Sequence, residues 1–332
     1  MKKTFILRLT AIASILIFIF YVLILCTGNK GSELNNSILK VGEGYLSVPE
    51  GKIWYKVSGN GKGIPVVLLH GGPGGSSFGL KPFEELGNDR QVIRYDQLGG
   101  GKSDKITDTT LFTINHFVED LELLRQHLGV THWHILGHSW GTILAIEYYK
   151  KYPDNITSII FTSACLNINL WNQYNRQLLE TLPDSFKQAI IKAESSGNYE
   201  DSLYIKAINK FGSLYNCRHP IIADKDSFIA TQNDEIYNYM LESRDFKIVG
   251  TLKNYDATPF LPEIKVPTLF TVGEFDHSGP EIIKGFANKV HCSKYVVFPG
   301  VAHVSMWDAR DENVKVVREF LNSVDDMKNE KL

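Results

Sequence analysis

The sequence predicts an α/β protein: a mostly parallel sheet with helices on both faces, interrupted by an inserted helical cap and preceded by an N-terminal transmembrane helix. Three observations carry this. Short apolar runs of strand character alternate with amphipathic helical stretches, the pattern of a parallel sheet covered by crossover helices. That alternation disappears between residues 167 and 256 and then resumes. Residues 9–26 form an uncharged run of 18 residues, unlike anything that follows.

The apolar run comes first in the chain. As a helix it spans about 27 Å, close to the ~30 Å hydrocarbon core of a bilayer. It is apolar all round, whereas core helices are usually amphipathic. It is also longer than a secretory h-region and has no good small-x-small cleavage site, so an uncleaved anchor is favoured over a cleaved signal. Lipidation at Cys26 is disfavoured by Leu25 before it. Lys2, Lys3 and Arg8 precede the run, which keeps the N-terminus cytoplasmic and places the body outside the cytoplasm. Membrane anchorage is the expectation, with secretion after cleavage as the alternative. Residues 27–43 are polar and Gly/Asn/Ser-rich, a tether.

The body then follows element by element. Residues 45–48 and 52–57, separated by Pro49-Glu50-Gly51, read as a hairpin. Residues 65–69 (PVVLL) and 91–95 (QVIRY) are buried-strand runs that each end in a glycine-rich loop. A helix is predicted over 114–128, with its stripe at Phe117, Leu121, Leu124 and Leu128, Thr113 as cap and Gly129 as stop. Strand 133–136 runs into Gly137, and a helix over 142–152 stops at Pro153. Residues 156–162 are again strand-like. Residues 167–256 are polar, Asn/Tyr-rich and helical in character. Strands return at 267–272 and 294–298, and the last helix falls at 312–321. The domain reading is therefore a core of 44–166 and 257–323, a cap of 167–256 and a polar tail of 324–332.

Composition sets limits on function. Of 332 residues, 43% are hydrophobic and 22% charged, which excludes wholesale disorder. With 35 basic and 37 acidic residues there is no electrostatic case for nucleic acid. Four cysteines, at 26, 165, 217 and 292, are too scattered for a disulfide framework or a metal knuckle.

The chemistry is concentrated in a few loops. Gly137-His138-Ser139-Trp140-Gly141 is a G-x-S-x-G between a predicted strand and a predicted helix, the context a nucleophile elbow requires. His70-Gly71-Gly72-Pro73-Gly74 follows the strand at 65–69. Acyl transfer needs amide donors aimed at a developing oxyanion, and Gly72 N–H with Trp140 N–H are the candidates. His70 itself reads as structural. A serine needs a base and the base an orienting acid, in the order Ser, acid, His. Asp276 and His303 occupy loops after the two last strands, where ligand groups of open α/β sheets collect. Glu274 and His277 are their nearest rivals, while His138 and His291 read as packing or surface residues.

In order along the chain, HGGPG, the segment Asp96-Gln97-Leu98-Gly99-Gly100-Gly101-Lys102-Ser103, GHSWG, GEFD and the GVAH loop resemble the prolyl aminopeptidase (proline iminopeptidase) family of α/β-hydrolases over residues 44–322. The resemblance implies the α/β-hydrolase fold, a helical cap over the site, and release of an N-terminal residue, often proline, from a short peptide or amino-acid amide. It implies no metal or organic cofactor. It also implies that cap carboxylates hold the substrate's amino group, and it places one at Asp245. There the family's glutamate is shortened and Arg244 stands beside it, a departure that bears on proline specificity more than on hydrolysis. Asp96 and Gln97 read as shaping a turn. The expected activity is thus that of a serine aminopeptidase acting through an acyl-enzyme. A carboxylesterase or lactonase on the same scaffold is the alternative.

Overall fold

The computed structural model describes residues 38–219, 232–241 and 247–329. The predicted anchor at 9–26 lies outside the described residues. Among those residues, no helix is long and apolar enough to cross a membrane.

The described residues form an eight-stranded sheet in the order β1-β2-β4-β3-β5-β6-β7-β8. Its strands are β1 (Gly42–Val48), β2 (Gly51–Ser58), β3 (Gly63–Leu69), β4 (Arg90–Tyr95), β5 (Trp133–His138), β6 (Ile156–Thr162), β7 (Thr268–Gly273) and β8 (Ser293–Phe298). The hairpin β1–β2 and the β2–β4 pair are antiparallel. From β4 to β8 every pairing is parallel. β4, β5, β6 and β7 are buried along their whole length, as expected where helices cover both faces. β4 lies on one side of β3 and β5 on the other, so the chain reverses direction across the sheet at β3. The carboxyl ends of β3 and β5 therefore flank a crevice, the standard ligand position of an open α/β sheet.

The helices are α1 (Ile114–His127), α2 (Trp140–Lys151), α3 (Ile168–Leu179), α4 (Asp184–Ser196), α5 (Ser202–Tyr215), α6 (Asp234–Met240), α7 (Pro280–Ala287), α8 (Ser305–Asp308) and α9 (Arg310–Asn329). Thr113 caps α1 as its sequence suggests, accepting from His116 N at 3.2 Å. Phe117 and Leu121 of α1, Ile143 and Leu144 of α2, and Ile283 and Phe286 of α7 share one core. The opposite face is covered by α9 and by a 3₁₀ helix, Ser77–Asn88.

Between β6 and β7 the chain leaves the sheet for α3 to α6. The two ends of this excursion are pinned together by a bridge between Asn167 and Asp256. The helices carry a small core of their own, with Leu178, Leu179, Leu182, Ile190, Ala207 and Phe211. Each fully buried large side chain there adds about 1.5–3 kcal/mol.

The 3₁₀ helix, α7 and the four-residue α8 escape the sequence reading. The 3₁₀ helix contains Pro82 and two glycines, which break the helical period. α7 is only eight residues long and begins at a Gly-Pro step. One boundary is also corrected. The last helix does not end at Leu321 but continues through Asn329, where a polar tail from 324 is expected. Its polar residues are the reason. Arg90, 1% exposed, reaches Asp325 at 2.9 Å and Asn322 at 2.5 Å, and His134 meets the same Asp325 at 3.0 Å. The burial of Val324 completes the turn. Removing one partner of a buried ion pair leaves an uncompensated charge. Asp325→Ala is therefore expected to cost about 3 kcal/mol in urea unfolding, and unchanged stability would contradict this account of the C-terminal helix.

Candidate active site

Ser139 stands between the last residue of β5 and the first of α2, with φ 54° and ψ −121°. A non-glycine residue in such a conformation costs of order 1–3 kcal/mol and persists only where its surroundings enforce it. Here they do. Ser139 N donates to Thr162 O at 3.1 Å, and Thr142 N and Oγ1 both donate back to Ser139 O, at 2.9 and 2.6 Å. The turn also needs a residue without a side chain at 141, since a Cβ there would lie 2.1 Å from Leu69 O. The tight turn thus lifts Ser139 above the sheet and puts Trp140 N–H at the start of a helix, among its unpaired donors.

The loop after β3 lies alongside. A Cβ on Gly71 would come within 3.2 Å of Ser139 Cβ. Gly72, at φ 123°, adopts a backbone conformation that side chains resist. Gly72, Ser139 and Trp140 line one pocket.

Asp276 and His303 meet beside this pocket, which His303 helps to line. Asp276 Oδ1 accepts from His303 Nδ1 at 2.8 Å and from Ser278 N at 2.7 Å, and the carboxyl group is fully buried. Burial alone would raise its pKa. The charge of His303 and the hydrogen bond to it outweigh burial and hold the carboxyl well below the usual range. The acid is thus an ion that fixes the ring by its Nδ1–H, leaving Nε2 outside that bond. The carbonyl of His303 accepts from Ser163 Oγ at 2.8 Å and His138 Nε2 at 3.1 Å, which clamps the loop.

The rivals have other places. Glu274 accepts from Gly300 N at 2.8 Å at the surface, tying together the two loops that carry Asp276 and His303. His277 lines the pocket with its ring centroid 4.1 Å from that of His303. Its carbonyl is held by Asn175 Nδ2 at 3.0 Å. Burial, and then His303, push both His138 and His277 down to about 3, so each is neutral at physiological pH. His291 is exposed. Asp245 lies outside the described residues. Asp276, His277 and His303 bring potential metal-ligating atoms within 4.8 Å. Asp276 Oδ1 and His303 Nδ1 are already committed to each other, the geometry of an acid orienting a base.

The pocket, about 280 Å³, is small for a ligand site. Its lining joins Ser139, His303 and the glycine loop to Trp171, Tyr237, Leu241 and Ile248 of the segment between β6 and β7. Trp307 lines it as well. The sequence reading missed these wall residues and the clamp at Ser163, because each is placed by contacts far along the chain with no local pattern to mark it.

The family model for the alpha/beta hydrolase fold matches residues 64–310. A proline iminopeptidase of Heyndrickxia coagulans is 39% identical over 287 residues, 85% of this chain and 99% of that protein. Another from Saccharolobus solfataricus is 35% identical, covering 89% of this chain and 95% of its own length. Among solved structures, a Mycobacterium smegmatis proline iminopeptidase superposes with a TM-score of 0.80 at 26% identity, over 86% of this chain and 99% of that one. The chain belongs to the proline iminopeptidase family of α/β-hydrolases.

Proposed function

We propose that this protein is a serine aminopeptidase that releases an N-terminal residue, proline foremost, from short peptides. The observation that carries the reading is that His303, held by Asp276 at 2.8 Å, lines the same small pocket as the strained Ser139. Ser139 attacks the first carbonyl while His303 Nε2 takes its proton. Asp276 stabilises the imidazolium that forms. Gly72 and Trp140 amides receive the oxyanion. His303 then protonates the departing amine, and water attacks the acyl-enzyme by the same route in reverse.

The names of the relatives support proline as the released residue. The apolar walls at Trp171, Tyr237, Leu241 and Ile248 suit a small apolar residue. An ammonium carried into such a pocket needs a partner, since a desolvated charge is costly. Asp245 is the residue proposed for that role. Residues 167–256 are proposed to act as a cap over the site. The chain is further proposed to be held at a membrane by residues 9–26 with its catalytic body outside the cytoplasm. Recovery of the intact chain in the soluble cytosolic fraction would contradict that placement.

Hydrolysis of a panel of aminoacyl arylamides, with N-acetylprolyl arylamide and simple acyl esters beside them, tests the activity. Prolyl arylamide is expected to turn over fastest, and acetylation to reduce its rate at least ~100-fold, on the order of the cost of an unpaired buried polar group. Ester turnover without arylamide turnover would replace this reading with that of a carboxylesterase or lactonase.

A further inference from the structure

We propose that Gln97 and His70 are positioning residues that hold both halves of the oxyanion hole in register, with Gln97 as the joint between them. The proposal rests on the reading of Ser139 as nucleophile and adds two residues which that reading leaves without a task.

The contacts run in one line. Trp140 Nε1–H donates to Gln97 Oε1 at 2.8 Å. Gln97 Nε2–H donates to His70 O at 3.1 Å, and Gln97 backbone N–H points at His70 Nε2 at 3.0 Å. His70 Nδ1 lies 2.7 Å from Gly71 O. All three side chains are 1–2% exposed, so water does not compete for these bonds.

The tautomer of His70 follows from its partners. A backbone N–H can only donate, so Nε2 must present its lone pair to Gln97. A carbonyl can only accept, so Nδ1 must carry the proton it gives to Gly71. The imidazole is therefore neutral, and burial pushes its pKa the same way. What it holds matters more. Gly71 C=O and Gly72 N–H belong to a single planar peptide unit and point in opposite directions. Fixing the oxygen therefore aims the N–H. The other oxyanion donor, Trp140 N–H, belongs to the residue whose indole Gln97 grips. One side-chain amide thus ties the nucleophile turn to the donor loop, across 43 residues on one side and 27 on the other.

Glutamine suits the place because the position needs an acceptor and a donor on one planar group. Glutamate has no donor for His70 O, and asparagine is one methylene short. Gln97 is itself held from below. Its neighbour Asp96 accepts from Ser77 N at 2.7 Å and Lys102 N at 2.8 Å, while Asp96 O accepts from Ser103 Oγ at 2.5 Å. The glycine-rich loop after β4 is thereby a rigid mount.

The test uses the full chain and the variants Gln97→Met, Trp140→Phe, His70→Phe, the double Gln97→Met/Trp140→Phe, and Ser139→Ala. Thermal melts check folding, kcat and KM are read on prolyl arylamide, and inhibition is read with prolyl boronic acid, whose tetrahedral adduct on Ser139 fills the oxyanion hole. Losing one oxyanion donor outright costs about 10²–10³ in kcat, so misaiming one is expected to cost about 10–100-fold. KM is expected to stay within about threefold and the boronate to weaken in proportion to kcat, as for an interaction made only in the transition state. The double variant is expected to be no worse than its worse single, because both remove one contact. A Gln97→Met enzyme with unchanged kcat and boronate affinity overturns the proposal, as does a loss confined to KM. If Gln97→Met does not fold, Trp140→Phe, which removes the donor of the same bond together with one ring of the buried indole, decides in its place by the same two readouts. Retained turnover in Ser139→Ala would instead overturn the nucleophile assignment. The two failures are therefore distinguishable.

Discussion

Ser139→Ala is expected to lower kcat on prolyl arylamide by about 10⁶-fold while leaving fold and stability intact, because loss of a triad nucleophile removes the acyl-enzyme route altogether. The position favours a clean result. Alanine at φ 54° is no more strained than serine, and the bonds that hold the turn run through the backbone N and O of residue 139. The elbow is thus preserved while its Oγ is lost. What remains is catalysis by the oxyanion hole and substrate binding, about 10³–10⁴ above the reaction in water. A loss of only tenfold would mean that the chemistry runs through another group, and Ser163 and Ser278, the other serines against His303, would be the ones to examine.

Asp276→Asn is expected to cost about 10⁴-fold in kcat, with little change in KM. The carboxylate does two things that an amide does not. It accepts from His303 Nδ1–H, fixing the tautomer with Nε2 outside that bond, and in the proposed mechanism it stabilises the imidazolium formed when Ser139 gives up its proton. An asparagine that turned its NH₂ toward Nδ1 would select the opposite tautomer, with the proton on Nε2 and no base for the serine. Ser278 N–H on the same Oδ1 opposes that turn, since two donors would face each other. The variant therefore also reports how firmly that backbone amide sets the side chain. A kcat within tenfold of the unaltered enzyme would show that His303 keeps its tautomer without Asp276, with Ser278 Oγ at 3.2 Å from Nδ1 as the acceptor.

Much of this arrangement is legible in the sequence because it is local. G-x-S-x-G needs only a strand before it and a helix after it, and β5 and α2 stand there. Asp276 and His303 are found from chain order and strand ends, since parallel strands all deliver their loops to one edge. What is not legible depends on distance. Gln97 reads as a turn residue because its partners, His70 and Trp140, lie 27 and 43 residues away in other elements. Asn175 holds the carbonyl of His277 from 102 residues away. The extension of the last helix through Asn329 is set by Arg90 at the start of β4, a contact between opposite ends of the core. Where polar residues find buried partners far away, the hydrophobic period that marks helices and strands carries no trace of them.

Labelling with an organofluorophosphate during loss of prolyl arylamidase activity tests whether hydrolysis runs through an acyl-enzyme on Ser139. One equivalent of label per chain is expected, found on the peptide that contains Ser139, with activity falling in proportion. Full activity in chains labelled at Ser139, or inactivation with the label on another residue, would contradict it.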